Sequence, residues 1–420
     1  MNRKNIEYKD ILLKNGLQLL MSVKNDVPGV IINTLIKVGS KDEPENQRGI
    51  AHLFEHLMFE GSPNINQGEF DDILHGIGGD SNAYTTYDVT CYQTTVPSNF
   101  LETALWLDSD RFTGFALSEE SIEVQKKVVL EEKLQQYDNT PYGSSEEESM
   151  KRLYNGNGYD IPVIGKSEDI KRIKKSDVEK FFERYYNPSN IIMTIVGDID
   201  YSITEELVEK YYGGIESKIN PEFRNFEDKE LLCEIDKTIY DNVNLPGRFI
   251  YYKIPGVTGR EFYVAMLLSG ILSSGDSSLL YNNLVYEKKI LYDVNAYILG
   301  TKDIGLFVID SFTQNGVDNN EAGFELDKIL NEVCSGSITE NQISKVKNRI
   351  ETSFYTKHQY MHNLADDLGL MKFYFNNPER INCDVEEYLS ITNSEILNFA
   401  DKYIKNNKRL ILNYLPKESE

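Results

Sequence analysis

His52, Glu55 and His56 fall within five residues of an otherwise apolar stretch, GIAHLFEHLMFEGS at 49–62. The pattern predicts a helix over 46–60, with Gly61 where a C-terminal cap belongs. On a helix, positions i, i+3 and i+4 share one face, and Leu53, Phe54, Leu57 and Met58 bury the rest. Two imidazoles one turn apart can bind one metal ion, and zinc favours such nitrogen-rich sets. A carboxylate between them reaches a water at the metal instead of completing the ligand set. The competing reading is a hydrogen-bonded polar cluster in the core. Burying three titratable groups without a metal or partners is costly, which favours the metal.

The chain has five histidines, and the other three, His75, His358 and His362, have no comparable neighbours. They read as surface or satisfied core. Four cysteines, Cys91, Cys233, Cys334 and Cys383, are far apart, which fits buried reduced thiols better than a disulfide framework. The net charge of -23 over 420 residues disfavours nucleic acid and anionic membrane as partners. No stretch has the apolar length of a membrane span or a secretory signal, so the expected address is cytoplasmic.

The elements that must position the three residues come in two copies. SDVEKFFERYYNPSNIIMTIVG begins at Ser176 and SEILNFADKYIKNNKRLILNYLP at Ser394, 218 positions later. Both read as a capped amphipathic helix, a polar turn and an apolar strand. Pro28-Gly29 and Pro246-Gly247 repeat the offset near the start of each half. The expected fold is α+β: two homologous domains, each a mixed or antiparallel sheet with helices packed on it. The expected bounds are 1–215 and 236–420, joined by a linker at 216–235. At the same offset His52, Glu55 and His56 land on Gly270, Ser273 and Ser274, so the second domain lacks the metal site.

H-x-x-E-H inverts the common zincin motif. With GGDSNAYTTYDVTCY at 78–92 and VVLEEKLQQYDNTPYG at 128–143, the chain resembles the pitrilysin/insulinase family of zinc metallopeptidases, the inverzincins, in its mitochondrial-processing-peptidase-like branch. The resemblance covers nearly the whole chain. It implies a third zinc ligand about 76 residues beyond the second histidine, which is Glu132. Locally, Ser118 caps a helix that runs towards Asp138, and Glu131 competes with Glu132 on it; spacing favours Glu132. The branch often has a glutamate where this chain has Gln125.

What the resemblance implies is a zinc endopeptidase with one Zn2+ per chain, Glu55 as general base, and two domains enclosing a chamber for short or unfolded peptides. Asn82, Ala83 and Tyr84 would form an edge strand to which a peptide adds by main-chain pairing. The alternative is a non-catalytic binding or assembly subunit. Related enzymes carry an arginine and a tyrosine in the second domain that hold the substrate backbone. The matching stretch here, LVYEKKILYDV at 284–294, keeps Tyr292 but has no arginine. Lysine is a poor substitute for the forked donor. That loss implies a second, metal-free subunit of the same family, with a homodimer or monomer as the alternative.

Overall fold

The computed structural model describes residues 5–417 apart from 218–220, 222, 224, 225 and 227. Six strands form a first sheet: β1 (Lys9–Leu12), β2 (Gln18–Val23), β3 (Gly29–Ile36), β4 (Asp80–Thr85), β5 (Thr90–Pro97) and β6 (Ile191–Gly197). Their order is β1-β2-β6-β3-β5-β4. β2 and β6 are parallel and all other neighbours antiparallel. β3 and β6 are buried at every position, which is why both read as near-continuous apolar runs. β4 closes one end of the sheet.

Side chains alternate across β3. Ile31 and Leu35 join Leu364, Ala365 and Leu368 of the Met361–Phe375 helix in one core cluster. Thr34, pointing the other way, donates to Asp108 on the Leu101–Asp110 helix (2.7 Å).

The second sheet has five strands: β7 (Ile235–Asp241), β8 (Gly247–Pro255), β9 (Leu291–Gly300), β10 (Ile304–Thr313) and β11 (Arg409–Pro416). Their order is β7-β11-β8-β10-β9, with β7 parallel to β11 and the rest antiparallel. Leaving out β1, the two sheets have one topology, as the duplication requires. β3 and β8 begin at Gly29 and Gly247, and β6 and β11 at Ile191 and Arg409, each pair 218 positions apart. Between them the offset shrinks: β5 and β10 begin at Thr90 and Ile304, 214 apart.

The compact units are not simply 1–215 and 236–420. The first consists of residues up to Lys133, Asn157–Asn225 and Tyr355–Asn382; the second of Leu134–Gly156, Phe226–Phe354 and the residues from Cys383 on. Each half of the sequence thus lends a helix to the other unit. Met361–Phe375, from the second half, packs on β3 and β6, and Ser145–Leu153, from the first, packs on β8 and β11. Part of the expected 216–235 linker lies outside the described residues. No described helix is long and apolar enough to cross a membrane.

Cys91 is buried, whereas Cys233 and Cys383 are exposed, contrary to the expectation of buried thiols. His75 and His362 lie on the surface. His358 pairs with Asp367 (2.8 Å).

Candidate metal centre

The histidine helix runs over Ile50–Leu57, shorter than the 46–60 the pattern predicts. Gly49 explains the late start. Its φ is +101°, and a Cβ there would lie 2.8 Å from the Ile164 carbonyl oxygen, so only glycine fits. The first N–H groups of the helix are claimed from outside it. Gly49 and Ala51 donate to the two carboxylate oxygens of Glu43, each at 2.8 Å. Glu43 is buried, and burial pushes its pKa up to about 8, while the two N–H bonds and nearby Arg48 pull it down. Leu53, Phe54 and Leu57 are fully buried; His52, Glu55 and His56 are half-buried on the remaining face.

Glu132 arrives on a second helix, Glu119–Lys133, which packs against the first. Its start is capped as the sequence suggests, with the Ser121 N–H donating to Ser118 Oγ (3.0 Å). Glu132 Oε2 lies 3.4 Å from His56 Nε2 and 3.8 Å from His52 Nε2. One donor atom from each of the three residues falls within 4.8 Å of the others, the only such group of three among the described residues. Glu131 is exposed and outside the group.

This donor set fits a zinc ion. Tetrahedral ligands at zinc distances stand about 3.3–3.6 Å apart, close to the two separations seen here. Burial, with the proximity of His56, pushes the His52 pKa down to about 4. Its imidazole is therefore neutral at neutral pH, the form that offers a lone pair. His52 Nδ1 is buried without a hydrogen-bond partner, so His52 is not a core histidine satisfied by its neighbours.

Glu55 is held from the sheet. Thr85, the last residue of β4, donates through Oγ1 to Glu55 Oε2 (2.5 Å). Burial pushes the Glu55 pKa up to about 7; Thr85 pulls it down and the charge of Glu132 pushes it up. Sequence reasoning assigned no role to either Thr85 or Glu43.

Asn82, Ala83 and Tyr84 lie on β4 at the end of the sheet. The Ala83 N–H donates to Asn82 Oδ1 (2.9 Å). The Tyr84 hydroxyl donates to Asp366 on the Met361–Phe375 helix, so its ring is committed to the sheet face. Gln125 donates to Glu60 Oε1 (2.7 Å), one turn beyond His56. Tyr292 is the second residue of β9, in the second unit, and its side chain is exposed. Nearby in sequence, Lys288 is paired with Glu325. Ser273, at the position matching Glu55, bonds both the N–H and the carbonyl of Ala296.

Two family profiles match the chain. One, described as Insulinase (Peptidase family M16), spans residues 20–167. The other, described as Peptidase M16 inactive domain, spans 172–350. The zinc protease PqqE of Helicobacter pylori is 28% identical over 405 residues, 95% of this chain and 90% of that protein. A protein of Rickettsia felis named an uncharacterized zinc protease is 24% identical over 396 residues, 93% of each. The crystal structure of a protease from Helicobacter pylori superposes with a TM-score of 0.91 at 25% identity, covering 98% of this chain and 100% of that one.

Proposed function

Because the chain belongs to the insulinase family of peptidases, M16, we propose that it is a zinc-dependent endopeptidase acting on short or unfolded peptides. The observation that carries this reading is the convergence of donors from His52, His56 and Glu132 beside the half-buried Glu55. Those three residues hold one zinc ion. When bound, the ion polarises the scissile carbonyl and makes water more acidic. Glu55 moves the protons: with Oε2 held by Thr85, Oε1 accepts a proton from water and returns it to the departing nitrogen. A pKa near neutrality suits a group that must do both at working pH.

Substrate adds to β4 as an extra strand. An incoming backbone carbonyl takes over the Ala83 N–H from the Asn82 side chain, while Tyr84, its main chain turned towards β5 and its ring tied to Asp366, holds the strand in place. A non-catalytic assembly subunit would have no use for a half-buried carboxylate beside three converging donors. We further propose that the chain works with a second, metal-free subunit of the same family. Segment 284–294 has no arginine, and Lys288 is already engaged with Glu325.

The test combines metal analysis with peptide hydrolysis. The purified chain should carry near-unit zinc, Glu132→Gln should lose it, and Glu131→Gln should keep it. Glu55→Gln should stay folded and zinc-loaded yet lose at least ~10²-fold in hydrolysis, the scale of a general base. Near-normal turnover by zinc-loaded Glu55→Gln would refute the mechanism.

A further inference from the structure

Behind the metal helix lies an aromatic layer. Phe54 stacks on Phe182 (ring centroids 6.1 Å apart, 21° between planes) and packs closely on Tyr186 (4.3 Å). The layer continues outward through Phe112, stacked on Tyr186 at 6.2 Å and 19°. There Phe112, Phe182, Tyr186 and Tyr211 line a cavity of about 330 Å³, within the range of small-molecule sites. Among the described residues, its only charged lining residues are Glu183 and Glu216, both exposed, and no lysine or arginine lines it.

Two of the described cations nearby are already engaged. Lys210 pairs with Glu102 (2.7 Å) and lies over the Tyr211 ring, and Arg184 lies over Tyr185. Lys175 Nζ sits 5.9 Å from the centre of Phe115, whose ring packs on Phe182. Two ammonium groups of this chain, Lys175 and Lys210, therefore already lie over rings at or beside the cavity.

We propose that this cavity binds a small organic cation, an alkylammonium or alkylguanidinium group. Aromatic faces attract cations through their quadrupole, and the two rim carboxylates supply the matching charge. A neutral ligand would gain nothing from Glu183 and Glu216, and an anion would be repelled by them. The cation is either a free amine or guanidine, or the basic side chain of a peptide. This site is independent of the metal and of the peptidase reading.

The test is calorimetric titration of the full chain with n-butylguanidinium, with its neutral isostere n-butylurea, and with the capped tripeptide acetyl-Gly-Arg-Gly-amide. Butylguanidinium should bind saturably, and about tenfold or more weaker to Glu183→Gln/Glu216→Gln. Both substitutions are at exposed positions, and matched thermal unfolding verifies that the variant is folded. Butylurea should not bind. Tripeptide binding equal to that of butylguanidinium identifies a side-chain ligand; much weaker tripeptide binding identifies a free small cation. No saturation by butylguanidinium, equal binding of butylurea, or unchanged binding to the double variant would overturn the proposal.

Discussion

At Glu55 three influences compete. Burial and the charge of Glu132 disfavour its carboxylate, while the Thr85 hydroxyl favours it. Thr85→Val removes only the favourable influence, so the Glu55 pKa should rise. A general base works deprotonated, so the acidic limb of the kcat/KM profile should move to higher pH, with activity well above that limb nearly restored. Zinc's charge acts on both proteins alike, so the difference between their profiles isolates the hydroxyl. Superimposable limbs would remove Thr85 from the catalytic account. The spacing of His52, Glu55 and His56 was legible because a helix turns spacing into direction. The Thr85–Glu55 bond was not, because it joins a strand end to a helix 30 positions away, and no local pattern records such a meeting.

The short helix that carries the site begins where a carboxylate from outside it takes the first N–H groups. A cap supplied by Glu43, six positions before Gly49, leaves no Ser, Thr, Asp or Asn at the helix start for sequence reading to find. Hence the helix was expected too early. Its pKa gives a signed prediction. In the unfolded chain Glu43 titrates near 4.5, and in the fold near 8. The native state therefore binds more protons between those values. The stabilising contribution of neutral Glu43 is present in full below pH 4.5 and fades as pH rises through about 8. Glu43→Gln stays neutral throughout. The stability of wild type relative to this variant should fall between pH 5 and 9, as read by chemical denaturation at each pH. A difference that stays flat, or grows with pH, would contradict this. Glu43→Ala should be worse at every pH, since each buried N–H without an acceptor costs about 1–3 kcal/mol.

For the whole molecule, the repeated sheet was legible at its ends, where Gly29 and Gly247 keep the 218-residue offset. It was less legible in its middle, where the offset drifts as loops differ in length. The exchanged helices were not legible, because an apolar helix face does not say which sheet it covers. The partner proposal belongs at this scale. Peptidase activity of the purified chain alone should be low and should rise on adding a metal-free family member encoded beside it. Full activity alone, unaffected by that addition, would sink the proposal. The Met361–Phe375 helix has one more consequence, and it concerns the order of synthesis. It covers Leu20, Ile31, Leu35, Ile192 and Val196, yet it leaves the ribosome long after they do. Until then the first sheet waits with one apolar face bare, in need of a chaperone or of speed. A fragment ending at residue 215 keeps that face bare permanently, and should be recovered aggregated where the full chain is soluble.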